Sequence, residues 1–317
     1  MKNEVGSRER RVGKLFPHLP CPPCPPTMGK FFYLEVPWSL GKLPHLYLHC
    51  YSLDLILDSW YNSCLLLNNL RMLVFVIPLK SPQVSKSWER VSKLFERCIK
   101  SVCNQTSTDF HAVVVCHEKP KIEFTHPHIT YITVDFPAAK ETNPVAQGNT
   151  DKGRKLLKGL IYAQQFSPTH TMAVDADDCV SKNLAEFIKQ NPNSNGWFIN
   201  KGYKYQEGSQ YIYLKRSDFN KMCGTCNILR YDLNNFPQPA EYNRGYGYYK
   251  YYIDHAQVRD ILTQKAKAIK PLPFAGAVYL LGTGEHLFYD STKLGFSIFN
   301  RRFLNPSIRD EFGLYNL

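Results

Sequence analysis

Long apolar runs are missing from this chain of 317 residues. The stretch from Leu53 to Leu70 is interrupted by Asp54, Asp58 and three asparagines, so it is too polar to cross a bilayer, which takes about 20 apolar residues. The charged N-terminal segment is followed by prolines and not by the apolar core of a signal peptide. We therefore expect neither a membrane span nor a secretory leader.

Cysteine is too sparse for a disulfide-stapled protein. Ten cysteines in 317 residues lie well below the roughly 8–10% that marks disulfide scaffolds. Two C-x-x-C pairs, Cys21/Cys24 and Cys223/Cys226, could in principle form a four-thiolate zinc site. The first pair lies in a proline-rich segment, and the second lacks a thioredoxin-like strand-to-helix setting. We expect reduced thiols and a cytoplasmic protein.

A nucleic-acid-binding motif is also missing, although the chain is basic. The formal net charge is +12 and the pI is about 9.1, which favours an anionic partner such as nucleotide phosphates, acidic glycans or lipid head groups. The lysines and arginines are scattered and do not follow one periodic stripe. We expect no nucleic-acid partner, and a basic but solvated surface is the alternative.

Residues 1–71 differ in composition from the rest of the chain. Eight of the 21 prolines lie there, and no helix or strand periodicity persists. A buried-strand pattern begins directly after Met72. We expect residues 1–71 to be a disordered or spurious extension, and residues 72–317 to be the folded domain.

Apolar strands alternate with amphipathic helices from Met72 onward. Their order is that of an open, mostly parallel sheet with flanking helices, in which ligands bind beyond the carboxyl ends of the strands. The predicted elements are strand 73–77, helix 85–104, strand 110–116, strand 129–134, helix 153–165 and strand 169–174.

Three carboxylates follow the last of these strands. In an extended chain, Asp175 and Asp177 project to the same side, and Ala176 leaves room between them. Two hard oxygen ligands on one side suit Mn²⁺ or Mg²⁺, which keeps open positions for a substrate diphosphate. An acidic turn after a strand is the plainer alternative, because aspartate is favoured in turns.

Basic residues precede the acidic motif at a predicted helix start. Lys152, Arg154 and Lys155 could hold a diphosphate there, because helix N-termini and cations both favour anions. A solvated basic helix face is the alternative. At the ends of the first two strands, Pro78 and Glu118 are expected to line a nucleobase pocket. Glu118 could accept a hydrogen bond from a base N–H or lie in a surface turn.

The segments VFVIPL, FHAVVVCHE, DKGRKLLKGLIYA and MAVDADD resemble, in this order and spacing, the family 2-like glycosyltransferases of the GT-A fold. The resemblance covers about residues 73–287. It implies one Rossmann-like domain, with a nucleotide-binding half at about 72–180 and an acceptor half at about 181–300. It also implies that the D-x-D motif binds a divalent ion and a UDP- or GDP-linked sugar. His117-Glu118 stands where the family usually has an aspartate pair, which leaves the base open.

The resemblance implies roles for three further residues. Asp254 and His255 open a predicted helix where inverting members carry the general base, and either side chain can take a proton from an acceptor hydroxyl. We favour Asp254, whose alternative role is a helix N-cap. His286, in a glycine-rich loop, resembles the C-terminal histidine that completes the metal site in many GT-A enzymes. Tyrosines within 242–252 could stack on an acceptor sugar or fill the core.

The implied activity is metal-assisted transfer of a sugar to a glycan, lipid-linked or small-molecule acceptor. Inversion is expected, although the departure at Asp254-His255 leaves the stereochemistry open. One alternative is a haloacid-dehalogenase-type phosphatase, because VDADDCV resembles the D-x-D-x-[TV] motif of that family. The other is a catalytically inactive protein that binds nucleotide sugars or glycans. A peripheral contact with the cytoplasmic face of the membrane is left open.

Overall fold

Two β-sheets with flanking helices make up residues 71–285 and 298–315, the part of the chain that the computed structural model describes. All but one residue of the predicted N-terminal extension lies outside this range. The strands are β1 (Leu73–Pro78), β2 (Phe110–Cys116), β3 (Ile129–Thr133), β4 (His170–Ala173), β5 (Cys179–Val180), β6 (Gly196–Phe198), β7 (Lys201–Gln206), β8 (Tyr211–Lys215), β9 (Asn227–Arg230), β10 (Lys270–Pro271), β11 (Ala275–Leu281) and β12 (Arg301–Phe303). The helices are α1 (Trp88–Cys103), α2 (Pro144–Tyr162), α3 (Leu184–Gln190), α4 (Tyr246–Ile253), α5 (His255–Gln264) and α6 (Pro306–Phe312).

The larger sheet has the strand order β10-β6-β9-β4-β1-β2-β3. β1 pairs in parallel with β2 on one side and with β4 on the other, and β2 pairs in parallel with β3. Only β9 runs antiparallel to its neighbours. The expected mixed α/β fold with a mostly parallel central sheet is confirmed. Its strand order reverses between β1 and β4, which makes this pair the topological switch point of the sheet.

The core of this sheet follows from its apolar strands. β1 is buried at all six positions, as expected for a parallel strand that is covered on both faces. α1 packs Phe95 and Ile99 against one face, and α2 packs Leu156 and Leu160 against the other. Gly159 allows this close approach, because a Cβ there would overlap a methyl group of Val76.

The sequence predicts that α2 starts at Gly153, and this prediction is wrong. The helix begins nine residues earlier, at Pro144, and the Asn143 side chain caps it by accepting hydrogen bonds from two backbone N–H groups. An Asn at the N-cap followed by Pro is a standard start signal. The basic segment 152–155 therefore lies within the helix, where backbone N–H groups are already bonded and cannot bind an anion.

The second sheet has the order β12-β8-β7-β11-β5. β7 and β8 form an antiparallel hairpin, and β11 pairs in parallel with β7 and antiparallel with β5. α6 covers one face of this sheet, where Phe312 joins Tyr205 and Ile212 in a buried cluster. Because β5 follows directly after the acidic motif, this sheet borders the candidate site. None of the helices within the described ranges is long and apolar enough to cross a bilayer.

Candidate functional site

The acidic motif lies at the carboxyl end of β4, next to the carboxyl end of β1 at the switch point. The chain does not stay extended here. The backbone N–H of Asp178 donates to the carbonyl of Asp175 at 3.0 Å and closes a turn that contains Asp177. The extended geometry predicted for Asp175 and Asp177 is therefore wrong, although both acids are half-buried at the expected edge of the sheet.

Asp178 points into the protein. It is fully buried, and its carboxylate accepts hydrogen bonds from the Thr225 hydroxyl at 2.7 Å, the Cys223 thiol at 3.2 Å and the backbone N–H of Leu280 at 3.4 Å. Burial, followed by the charges of the two neighbouring acids, raises the pKa of Asp178 well above its usual range. The oxygens of the Asp178 carboxylate are therefore bound by the protein itself. Asp178 instead ties the acidic turn to loop 222–226 and to β11.

Thr225 fixes the shape of the acidic turn. Its buried hydroxyl accepts a hydrogen bond from the backbone N–H of Asp175 at 2.8 Å and donates to Asp178. The sequence marked this loop only by its C-x-x-C pair, and Cys223 and Cys226 are buried free thiols. The loop thus serves as a structural support for the acids.

Lys152 reaches the acidic turn from the middle of α2. Its Nζ forms an ion pair with Oδ1 of Asp175. Burial alone would lower the pKa of Lys152, but the charge and hydrogen bond of Asp175 outweigh it, so this pKa is raised above its usual value. Gly224 leaves space for the pair, because a Cβ there would lie 2.6 Å from Oδ2 of Asp175 and 3.1 Å from Nζ of Lys152.

The other two predicted phosphate-binding cations are held by the protein. Lys155 is 1% exposed, and its ammonium donates to the carbonyl of Leu79 at 2.7 Å and to Asp151 at 2.6 Å. Arg154 is 2% exposed and donates to two backbone carbonyls. Both side chains support the end of β1 and the loops beside it, and their phosphate contacts stay predictions.

Pro78 and Glu118, which the sequence predicts to line a nucleobase pocket, lie at the ends of β1 and β2. Pro78 is buried at the end of β1, and Glu118 is exposed just after β2. Asp151, which the sequence did not single out, pairs with Lys155, and its Oδ1 lies 3.8 Å from Nε2 of His117. Burial, followed by the charge of Lys155, lowers the pKa of His117. The role of Glu118 in binding a base stays a prediction.

Asp254 and His255 link α4 to α5. Asp254 takes the N-cap position of α5, but its side chain makes no capping hydrogen bond. His255 is half-buried, and its Nε2 is buried without a hydrogen-bond partner among the described residues. Burial lowers the pKa of His255, and the charge of Lys152 lowers it further while that of Asp175 opposes the shift. His255 therefore lies close enough to the Lys152–Asp175 pair for both charges to shift its pKa.

The tyrosine-rich run forms α4, and its hydroxyls bind the preceding loop. This use favours a structural role over the predicted stacking on acceptor sugars. Tyr248, Tyr249, Tyr251 and Tyr252 donate to the backbone carbonyls of Pro239, Glu241, Leu233 and Asn235, respectively.

Glu285, another residue that the sequence did not single out, connects the loops after β11 and β1. It is 8% exposed and accepts hydrogen bonds from Nζ of Lys80 at 2.6 Å and from the backbone N–H groups of Ser87 and Lys86. In the sequence, only its position after Gly282-Thr283-Gly284 indicates that Glu285 lies in a loop that could make these contacts. His286, the predicted third metal ligand, is the next residue and lies outside the described residues.

The two accessible acids fit a divalent ion that a nucleotide helps to bind. Within residues 71–285 and 298–315, no group of three His, Cys, Asp or Glu side chains could hold a metal by itself. Mg²⁺ sites in nucleotide enzymes commonly use one or two carboxylates and fill the other positions with water and phosphate oxygens. Asp175 and Asp177 match that donor set, whereas they do not form a complete protein cage.

Three comparisons with known proteins were made, and only the comparison with solved structures gives matches. No family model and no curated protein matches the sequence. The S. aureus TarS 1–349 structure in complex with UDP is 15% identical with a TM-score of 0.37, over 66% of this chain and 60% of that one. HddC from Yersinia pseudotuberculosis is 9% identical with a TM-score of 0.30, over 66% of this chain and 88% of that one. Similarities at this level do not assign a reaction to this chain.

Proposed function

We propose that this protein transfers a sugar from a nucleotide diphosphate to a hydroxyl acceptor. The observation that carries the proposal is the convergence of Asp175, Asp177 and Lys152 at the switch point between β1 and β4. In open α/β sheets, the crevice beyond the strand ends at this point is the usual nucleotide site. Acids that can share an ion with a diphosphate, beside a lysine that can bind a phosphate, suit such a ligand.

The donor would bind in the half of the chain at about 72–180. Asp175 and Asp177 would hold Mn²⁺ or Mg²⁺ against the diphosphate of a UDP- or GDP-linked sugar. When bound, the ion would neutralise charge on the leaving nucleotide. The Lys152 ammonium would leave its ion pair with Asp175 and bind a phosphate oxygen of the donor, which would add a second positive charge at the diphosphate. Pro78 and Glu118 would border the base.

The acceptor would bind in the half at about 181–300. Asp254 or His255 would take the proton from its hydroxyl as that oxygen attacks the anomeric carbon. The lowered pKa of His255 supports this role, because it keeps the imidazole neutral and able to accept a proton near pH 7. Attack opposite the leaving nucleotide would invert the anomeric centre.

Calorimetric titration of the full chain tests the donor site. UDP, GDP and their sugar conjugates are titrated with and without Mn²⁺ into the wild type, Asp177→Ala and Asp260→Ala. Asp260 is a matched control, because its side chain is 68% exposed on α5. We expect Mn²⁺-dependent binding of one nucleotide that weakens at least about tenfold in Asp177→Ala alone.

Product analysis then separates an enzyme from a binding protein. Release of the nucleotide together with a glycosylated acceptor supports transfer, whereas tight binding without any product supports the inactive alternative. If no nucleotide binds, or if Asp177→Ala binds as the wild type does, the proposed donor site is wrong. Circular dichroism of each variant checks that the fold is retained.

A further inference from the structure

Glu285 places a carboxylate among hydrogen-bond donors of the loop that follows β1. Its Oε2 accepts hydrogen bonds from the Lys80 ammonium at 2.6 Å and from the backbone N–H of Lys86 at 3.2 Å. Its Oε1 accepts one from the backbone N–H of Ser87 at 2.8 Å. Lys80 also donates to the backbone carbonyl of Glu285 at 3.2 Å. We call the Lys80 ammonium and the two backbone N–H groups the anion cradle.

The anion cradle suits any small oxyanion. Its three groups are all donors, one of them is a cation, and the residue whose carboxylate they bind is 8% exposed. Donors of this kind make charge-assisted hydrogen bonds with carboxylate and phosphate oxygens alike, and such bonds are roughly twice as strong as neutral ones. A phosphate group of a ligand can therefore replace the Glu285 carboxylate in the cradle.

The cradle begins at the switch point of the larger sheet. β1 pairs in parallel with β4, with Val76 beside Ala173, so the residues after both strands lie at one edge of the sheet. The backbone N–H of Leu79 still bonds to β2, and Lys80 is the next residue. In open α/β sheets, the crevice beyond the strand ends at this point is the usual site of nucleotide phosphates. Glu285 therefore occupies donors at the edge where the proposed sugar donor binds.

The loop that carries Glu285 has the backbone freedom to release it. Gly282 and Gly284 have φ angles of +69° and +77°, in the left-handed region that favours glycine. Both glycines are exposed, and a Cβ on either would meet no atom of the described chain within 4 Å. Hinges are short loop segments that absorb changes in φ and ψ. Segment 282–284 can thus turn while β11, which ends at Leu281, stays in its sheet.

We propose that Glu285 is an autoinhibitory residue, which holds the anion cradle in the protein without ligand and is displaced by a phosphate of the nucleotide donor. The inference rests on the proposed function and adds a regulatory contact to the same site. In the closed state, Glu285 occupies the donors that the phosphate needs and repels its charge. In the open state, the phosphate binds Lys80 and the two N–H groups, and loop 282–285 leaves the loop after β1.

This competition lowers the affinity for the donor. A site that is open for a fraction of the time binds its ligand with an affinity reduced by that fraction. A cradle that is closed about nine-tenths of the time therefore binds phosphate about tenfold more weakly than a free one. Donor binding is thereby coupled to the release of loop 282–285.

Inorganic pyrophosphate tests the cradle without a base, a sugar or a metal ion. It is titrated by calorimetry into the full chain in the absence of divalent ions. Glu285→Gln keeps the shape of the side chain and removes its charge, so it should bind pyrophosphate about tenfold more tightly than the wild type. Glu89→Gln is the matched control, because Glu89 lies in the first turn of α1 but is 79% exposed and pairs with Lys93. Its affinity should stay within about twofold of the wild type.

Two lysines of the same loop separate the cradle from general charge. Lys80→Met removes the cation of the cradle and should weaken pyrophosphate binding about tenfold or more. Lys86→Met removes an exposed charge but keeps the backbone N–H that the cradle uses, so it should have little effect. Circular dichroism of each variant checks that the fold is retained.

Hydrogen exchange measured by mass spectrometry follows the loop itself. Pyrophosphate should speed amide exchange at residues 282–285 in the wild type, whereas uridine, which has no phosphate, should not. In Glu285→Gln the exchange should be fast without any ligand. A purely structural Glu285 would give fast exchange in this variant but no gain in pyrophosphate affinity.

Three results would each overturn the inference. They are pyrophosphate binding in Glu285→Gln that is absent or no tighter than in the wild type, equal losses in Lys80→Met and Lys86→Met, and unchanged exchange at 282–285 when pyrophosphate binds. Nucleotide titration with Mn²⁺ on the same samples keeps the two proposals apart. If pyrophosphate displaces Glu285 but no nucleotide binds, the donor assignment alone fails, and if a nucleotide binds equally to wild type and Glu285→Gln, the autoinhibitory contact alone fails.

Discussion

The Lys152 ammonium and the Asp175 carboxylate form an ion pair that joins the middle of α2 to the turn after β4. Each side chain is 26% exposed, so the pair lies at the surface of the candidate site and within reach of a ligand. Lys152 therefore neutralises Asp175 in the protein without nucleotide. A divalent cation that binds Asp175 must compete with this lysine.

Lys152→Met removes the competing charge. The variant should bind Mn²⁺ without nucleotide roughly tenfold more tightly, a change of about 1.4 kcal/mol, because Asp175 no longer has a protein cation beside it. Electron paramagnetic resonance of free Mn²⁺ measures this affinity directly. Lys158→Met is the control on the same helix, since Lys158 contacts the Tyr242 ring. Unchanged Mn²⁺ affinity in Lys152→Met would show that Asp175 does not bind the ion.

Thr225→Val should destabilise the protein. The valine methyl can neither accept from the Asp175 N–H nor donate to Asp178, and each unsatisfied group costs about 1–3 kcal/mol. We expect a loss of about 2–4 kcal/mol in the free energy of unfolding, measured by urea denaturation. Thr263→Val is the matched substitution, since the Thr263 hydroxyl bonds only to an exposed helix carbonyl, and should change stability by about 0.5 kcal/mol or less. Equal effects in both variants would contradict the role of Thr225.

The sequence predicts β1 and β2 of the larger sheet well because these parallel strands are buried on both faces. Such strands appear as short apolar runs, and the runs at β1 and β2 match the observed elements closely. The position of the acids at a sheet edge also follows from sequence, because residues after a parallel strand always lie at its carboxyl end. These features depend on local pattern alone.

The details of the site depend on partners that are distant in sequence. Asp178 is turned inward by Thr225 and Leu280, 47 and 102 residues away. Lys152 meets Asp175 only because α2 begins at Pro144 and so reaches the end of β4 in its third turn. No local pattern distinguishes the three acids of the motif, so the contacts decide which of them a ligand can reach.

Asp178→Asn should change how stability depends on pH. The folded-state pKa of Asp178 is raised, so this residue favours the folded state at low pH, and that contribution is lost as pH rises towards the folded pKa. Between about pH 4, the ordinary pKa of an aspartate, and the folded pKa, the free energy of unfolding of the wild type should fall relative to that of Asp178→Asn, by up to about 1.4 kcal/mol per pH unit. Urea denaturation at a series of pH values measures the difference. Asp260→Asn, at an exposed site, should follow the wild type. Parallel profiles for wild type and Asp178→Asn would contradict the raised pKa.

Two glycines should respond to alanine with opposite signs. A Cβ on Gly153 would overlap the Cβ of Tyr249 and lie 2.8 Å from Cδ1 of Ile253, so Gly153→Ala should push α2 and α4 apart at a cost of about 1–3 kcal/mol. A Cβ on Gly247 would meet no atom within 4 Å. Gly247→Ala should therefore be neutral or stabilise α4 by up to about 1 kcal/mol through helix propensity. Urea denaturation of both variants measures the two changes, and a Gly153→Ala variant as stable as the wild type would show that the contact between α2 and α4 is not tight.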